Sequence, residues 1–312
     1  MFSTVTPVID LVASARTFAE NTRSANTKSA YDSDWRHFTE WTAAHGFESL
    51  PAEPAAVAMY ITDLAASHKP ATITRRLAAI SVRHQQAGVE SPTRHQEVRA
   101  ISTGIRRTLG TAQREASPLS LGDLRAILAH LPDTIGGLRD RALLLTGFAG
   151  ALRRSELVGL DLDDVQTRDE GLVLMLRRSK TDQQGAGERV ALPHGRDRHT
   201  CPVRAIQTWR DAAELQEGAL FRSVDRHGNV GSRLSGGAVS LILKSAAQRA
   251  RIDPVMLSGH SLRAGFATTA AANGATEQAI ANQTRHRSMS VLRRYIRHGS
   301  VFTDNAVGTL GL

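Results

Sequence analysis

The apolar residues of this chain keep a helical period for the first hundred or so positions. They lapse in a polar Gly/Ser/Pro stretch and then, for two short segments, change period. That break and change constrain the fold more than any single residue does. Tyr31, Trp35, Phe38 and Trp41 recur at spacings of three and four, so a helix is expected over 27–45, ending before Gly46, with its aromatics in a core. A second helix is expected over 54–67 with Val57, Tyr60, Ile61 and Leu64 inward, and a third over 71–87 with Ile73, Leu77 and Ile80 inward. A fourth, over 92–109, turns Val98, Ile101 and Ile105 inward. Together they form one small all-helical unit.

Residues 111–118 are short of large apolar side chains and end in Ser117-Pro118, as a linker would. The expected division is therefore 1–110, a linker 111–118, and a second domain 119–312. In that domain a helix follows Ser120 with Leu124, Ile127 and Leu128 apolar, and an apolar helix covers 138–148. Residues 171–178 and 188–193 have strand character and flank a polar, Gly-containing loop, which predicts a hairpin. Helical patterns return over 202–216, 237–250, 258–273 and 277–283. The fold class expected is mainly α with a small antiparallel β-sheet.

Hydrophobic residues make up 41% of the chain but aromatic residues only 4%, so the cores must be built mostly from Leu, Ala, Val and Ile. Lys and Arg outnumber Asp and Glu 39 to 30, a net charge of +9 that favours polyanionic partners, nucleic acid before anionic membrane. There is no apolar run long enough to cross a bilayer, no strongly basic amphipathic helix with a bulky apolar face, and no signal-peptide pattern at the start. A soluble, intracellular protein without a membrane role is expected. Cys201 is the only cysteine, which excludes a disulfide framework and a Cys-rich zinc module. On the N-terminal helices Arg75, Arg76, Arg83, Arg106 and Arg107 are candidates for phosphate contact. An ordinary solvated face is the competing reading, because Asp32, Asp34, Asp63, Glu90 and Glu97 interleave with them.

Four groups of residues carry chemical potential. Arg153 and Glu156 stand three apart after the apolar helix; they form either a local ion pair or an arginine fixed by its carboxylate with donors left for an anion. His260 and Arg263 stand three apart at a helix start that Ser258-Gly259 can cap, a place that favours phosphate. Lys180 stands just before the hairpin loop. Residues 285–297 hold five arginines, His286 and Tyr295, and no acid lies between Glu277 and Asp304. Tyr295 is either an aromatic anchor or a nucleophile whose phenolate nearby cations stabilise. Nine residues on one helix would point His286 and Tyr295 apart, so a break near Ser288 is expected, with Tyr295 on a separate short helix.

The ordered set Arg153, Lys180, His260, Arg263, His286 and Tyr295 resembles the signature of the tyrosine recombinases, the phage integrase family. The phrases around it agree: Ala-Leu-Arg-Arg-Ser-Glu-Leu at Arg153, Arg-Ser-Lys-Thr-Asp at Lys180, and His-Ser-Leu-Arg-Ala-Gly-Phe-Ala at Arg263. The resemblance covers essentially the whole chain. It implies that 1–110 is a four-helix, SAM-like core-binding domain that contacts DNA and that 119–312 is the α+β catalytic domain with a C-terminal tail. There are two departures: Ala151 stands where glycine is common, and Thr284-Arg285-His286 replaces Leu-Gly-His. Arg285 and Arg287 join the candidates for DNA contact.

The resemblance further implies a mechanism. Tyr295 attacks a scissile phosphodiester and forms a 3′-phosphotyrosine, and a partner strand's 5′-hydroxyl later attacks that link, by way of a Holliday junction. Arg153, Arg263 and His286 would bind the nonbridging oxygens, Lys180 would protonate the leaving oxygen, His260 would help take the tyrosine proton, and Glu156 would support the set. No metal and no cofactor is implied. The partners implied are double-stranded DNA bearing specific sites and further copies of the chain in a homotetramer, in the cytoplasm and on the nucleoid of a prokaryote. The apolar tail, 301–310, packs either on a neighbour or on its own domain. A type IB-like topoisomerase and a non-catalytic DNA-binding protein of the same fold are the competing functions.

Overall fold

The computed structural model describes residues 25–110, 116–177 and 187–285, together with 289, 292, 293 and 295. The chain divides into two compact units, Met1–Arg114 and Glu115–Leu312. Lys180, His286, Arg287 and the tail over 301–310 lie outside the described residues.

Among the described residues of the first unit four α-helices follow one another: α1 (Ala25–Ala44), α2 (Pro54–Ala65), α3 (Pro70–Gln86) and α4 (Gln96–Leu109). α2 and α3 each begin on a proline, whose missing N–H costs nothing at a helix start. Phe38, Val57, Tyr60, Ile61, Ile73, Ile80 and Val98 form the core, with Trp35, Trp41, Leu77, Ile101 and Ile105 packed on it. The helix expected over 92–109 is divided. Pro92–Arg94 makes a single 3₁₀ turn, His95 is extended (ψ 142°), and α4 starts at Gln96. His84 lies in the core and stitches a loop to it: Nδ1 donates to the Ile80 carbonyl at 2.9 Å and Nε2 accepts from the Ala52 N–H at 2.9 Å.

The basic face of this unit is only partly a face. Asp34, 3% exposed, accepts from Arg75 Nε at 2.7 Å and Nη2 at 2.9 Å, and pairs with Arg76 at 3.6 Å. Arg83 pairs with Asp32 at 2.6 Å. Arg76, expected at a phosphate, is instead buried, with Nη1 donating to Tyr60 Oη at 3.2 Å and lying 3.1 Å from His37 Nδ1. The buried carboxylate of Asp34 and these ring and hydroxyl groups supply the acceptors that make burying the guanidinium tolerable. Burial pushes the Tyr60 phenol up to about 12 against the opposing charge of Arg76. Burial, then the charges of Arg76 and His68, hold His37 below its ordinary value.

The second unit is helical around two small sheets. α5 (Leu121–Ala129) and α6 (Ile135–Ala149) are capped by Ser120 and Thr134, whose side chains accept from the Asp123 and Gly137 N–H groups. A six-residue helix, α7 (Arg154–Gly159), follows. The antiparallel sheet runs β1 (Val165–Arg168), β2 (Gly171–Leu176), β3 (Glu188–Pro193), with Gly171 opposite Pro193 and Leu176 opposite Glu188. Next come α8 (Pro202–Ala212), a hairpin of β4 (Arg222–Val224) and β5 (Val230–Arg233), α9 (Gly236–Arg249), α10 (Gly259–Ala272) and α11 (Glu277–Thr284). β1, β4, β5 and α7 were not expected from the sequence. One core joins Leu143, Leu144, Leu157, Leu172, Leu174, Val190, Leu192, Val203, Ile206, Trp209, Phe221, Leu243 and Leu262.

α6 packs against α8 and α10, which sets the start of α10 beside the turn that follows α6. Gly265 permits close packing on both α6 and the stretch before α5, because a Cβ there would stand 2.9 Å from the Phe148 ring and 2.1 Å from the Leu119 carbonyl oxygen. The Leu119 N–H in turn donates to the Ser261 carbonyl at 3.0 Å.

Candidate active site

The site is built on two backbone turns in the left-handed region. α6 ends at Gly150, and Ala151 takes φ +46°. α11 ends at Arg285, with φ +55° and ψ +44°. These are the two positions where the chain departs from glycine. A side chain there costs roughly 1–2 kcal/mol of backbone energy, so something else must hold each turn.

Arg153 is the N-cap of α7, and Glu156 is the third residue of that helix. The Glu156 carboxylate reaches back to the Arg153 N–H at 2.8 Å while its other oxygen accepts from Arg153 Nη1. Arg285 Nη2 donates to the same carboxylate at 2.8 Å. One carboxylate, its side chain 1% exposed, thus serves two arginines. Burial alone would raise the Glu156 carboxyl; the charge of Arg285 and the donors of Arg153 outweigh it and hold the group below its ordinary value.

Arg263 lies one turn into α10 and is 2% exposed. Its Nη1 donates to the Ala151 carbonyl at 2.7 Å, and its Nη2 has no hydrogen-bond partner among the described residues. Burial, then the charges of Arg153 and Arg285, push Arg263 down to about 9, which leaves it charged at neutral pH. Three guanidinium groups therefore gather around one buried carboxylate, and the cluster retains positive charge for an anion to neutralise.

The N-terminus of α10 does not offer its N–H groups freely. The Ser258 side chain accepts from the His260 N–H at 3.2 Å, the Ser258 N–H donates to Ser261 Oγ at 2.9 Å, and the Gly259 N–H donates to Ser240 Oγ at 3.1 Å. Side-chain guanidinium groups rather than this helix start are thus what the site offers an anion. The capping does fix His260 at the rim, where it is exposed.

Tyr295 meets His260 there: Oη lies 2.7 Å from Nε2. Met289, Leu292, Arg293 and Tyr295 are helical. Met289, Leu292 and Tyr295, spaced by three, form an apolar stripe against Ala267, Ala270, Ala271, Ile280 and Ala281. Thr268 Oγ1 lies 3.5 Å from the Tyr295 carbonyl, and Arg293 Nε lies 3.3 Å from Glu277. The tyrosine's ring is packed and its hydroxyl faces a histidine.

The structure thus brings Arg153, Glu156, His260, Arg263 and Tyr295 together, from three segments of the chain. Arg285, expected to face DNA, turns inward instead, its side chain 6% exposed. Its Nη1 donates to the carbonyls of Gln283 at 2.7 Å and Gly150 at 3.2 Å, Nη2 to that of Ala151 at 3.3 Å, and Nε pairs with Glu188 on β3 at 3.4 Å. The left-handed turn aims the side chain at these acceptors, and the acceptors offset its desolvation. Among the described residues no group of three His, Cys, Asp or Glu side chains is placed to hold a metal ion, and no helix is long and apolar enough to cross a membrane.

A tyrosine beside a histidine, next to clustered arginines on a helical scaffold, is an arrangement suited to a phosphate and is in keeping with the resemblance to the tyrosine recombinases. Comparison with known proteins agrees. The phage integrase family model matches residues 119–300. An integrase/recombinase XerD homolog of Selenomonas ruminantium is 40% identical over 297 residues, covering 93% of this chain and 87% of the relative. A tyrosine recombinase of Synechococcus elongatus is 31% identical, covering 88% and 86%. In fold, the chain is similar to the recombinase XerH bound to its difH substrate (15% identity, 83% of this chain and 73% of that one, TM-score 0.62). It is likewise similar to the Tn1549 transposon integrase in complex with a circular intermediate DNA (13% identity, 96% and 98%, TM-score 0.62). The chain therefore belongs to the phage integrase family, and its activity is that of a site-specific tyrosine recombinase.

Proposed function

We propose that this recombinase acts on duplex DNA bearing specific recombination sites and that Tyr295 is its nucleophile. The 2.7 Å contact between Tyr295 Oη and His260 Nε2, beside the arginine cluster, carries this reading. The core tyrosine Tyr60 also has a histidine at its hydroxyl, His37 at 3.0 Å, so it is the arginine cluster beside the contact that sets Tyr295 apart. In this reading the nucleophile serves a phosphate held by arginines of the same chain.

In this reading a scissile phosphate binds between Arg153 and Arg263. Arg263 Nη2, without a partner among the described residues, donates to a nonbridging oxygen, and Arg153 does the same from the fixed position Glu156 gives it. Tyr295 Oη attacks phosphorus as His260 Nε2 takes its proton. The bond to the 5′-oxygen breaks, and that oxygen leaves as a hydroxyl with a proton from Lys180. His286 adds a donor to a nonbridging oxygen. The product is a 3′-phosphotyrosine, which the 5′-hydroxyl of a partner strand attacks in turn, returning the proton to the tyrosine. Two such exchanges pass through a Holliday junction, and four copies of the chain on two sites perform them in the cytoplasm.

In the first unit Arg106 and Arg107, both exposed on the last turn of α4, are the proposed phosphate contacts. Arg75 and Arg83 would exchange Asp34 and Asp32 for phosphate or keep them. Arg76, being buried, is left out. The test uses sites recovered by sequencing DNA trapped covalently on the protein. Two such sites are placed on one supercoiled plasmid. Exchange between the sites is expected; relaxation of the plasmid without exchange would replace this reading with a topoisomerase.

A further inference from the structure

Arg285 stands where glycine would hold the same turn at less cost, yet its side chain reaches the Gln283, Gly150 and Ala151 carbonyls and the carboxylates of Glu156 and Glu188. Those contacts reach three separate segments: the Gly150–Ala151 turn, Glu156 on α7, and Glu188 at the start of β3. Gln283, two residues earlier, reaches two of the same regions, donating from Nε2 to the Ala149 carbonyl at 2.9 Å and the Ala191 carbonyl at 3.2 Å. The end of α11 thus clamps the α6–α7 turn to β3. The Ala151 carbonyl is shared, accepting from Arg285 Nη2 at 3.3 Å and from Arg263 Nη1 at 2.7 Å. The Glu156 carboxylate is shared too, between Arg285 and Arg153.

We infer that Arg285 is a positioning residue for the phosphate-binding pair: it holds Glu156, and through it Arg153, against the Ala151 turn that anchors Arg263. This rests on the reading of Arg153 and Arg263 as phosphate ligands. Arg285 itself is buried and touches no DNA. Its guanidinium adds a buried positive charge beside Arg153 and Arg263, and the two carboxylates facing it, Glu156 and Glu188, balance that charge locally. Without Arg285, Glu156 keeps only Arg153, and the turn at Ala151 loses one of its two side-chain donors.

The test measures single-turnover cleavage at saturating DNA on a recovered site, and separately DNA affinity and its salt dependence. Arg285→Met keeps the backbone type and much of the volume without the donors; Arg285→Gly suits the left-handed turn and secures a folded variant if Met does not fold. Both are expected to slow cleavage at saturation by on the order of 10²-fold, with affinity and salt dependence unchanged and partial rescue by Arg285→Lys. In a Glu156→Gln background, Arg285→Met should add less than it costs alone, because part of its effect runs through the shared carboxylate. Weaker binding with a salt slope reduced by about 1, or losses that multiply in the double variant, would overturn the inference. If the wild type gives no covalent adduct, or Tyr295→Phe does, the underlying reading fails instead, independently of Arg285.

Discussion

Glu156→Gln probes the arginine cluster most sharply. The carboxylate is 1% exposed on its side chain and takes the Arg153 N–H, Arg153 Nη1 and Arg285 Nη2. Glutamine keeps the volume but offers one oxygen, and turns an NH₂ group toward a guanidinium. It also removes the one negative charge shared by Arg153 and Arg285, with Arg263 close enough to feel both. Breaking a buried pair by neutralising one partner costs roughly 3–5 kcal/mol. A unit of this size loses roughly 2–4 °C of Tm per kcal/mol, so melting should fall by roughly 6–20 °C. Calorimetry at neutral pH reads this directly. The pH dependence supplies a second check. The folded carboxyl lies below its ordinary value, so its contribution is complete above the unfolded value of about 4.3 and is lost as pH falls through the lower folded value. The gap between wild type and variant should therefore hold at neutral pH and close on acidification below that value. A variant that melts with the wild type at pH 7 would refute the reasoning.

Three further outcomes are expected. Arg263→Ala removes the buried donor fork and should cut single-turnover cleavage by about 10²–10³-fold without abolishing DNA binding in a mobility-shift assay. Ala151→Val places a β-branched residue at φ +46° and should destabilise the second unit by roughly 1–3 kcal/mol, read by denaturant unfolding, whereas Ala151→Gly should not. Asp34→Asn leaves Arg76 buried with its carboxylate partner neutralised, so the first unit should lose about 3–5 kcal/mol, seen as a lowered melting transition.

The helical architecture was legible because the apolar period is strong: Val57, Tyr60, Ile61 and Leu64 repeat at helical spacing and fall in the core as that spacing requires. β3 was legible from the alternation that buries Val190 and Leu192, and β2 from its short unbroken apolar run, in which Leu172 and Leu174 are buried. β1, β4 and β5 were not, because almost none of their side chains are buried and edge pairing leaves no period in the residues. α7 is too short to show a period at all. The arginines divided along another line. Sequence marks them as cationic but not as inward or outward, and Arg76 and Arg285 turn in because acceptors from distant segments, Tyr60 and Asp34 for one and Glu156 and Glu188 for the other, meet them there. The one available signal was indirect. Two residues replace glycine beside the site, and both hold left-handed turns that only tertiary contacts make tolerable.

The central claim is that Tyr295 makes the covalent bond to DNA. Protein trapped on a nicked, site-bearing oligonucleotide, digested with nuclease and protease, should yield one peptide carrying a 3′-linked nucleotide on Tyr295, and Tyr295→Phe should bind the same DNA yet yield none. An adduct on any other residue, or one formed by Tyr295→Phe, would contradict the account.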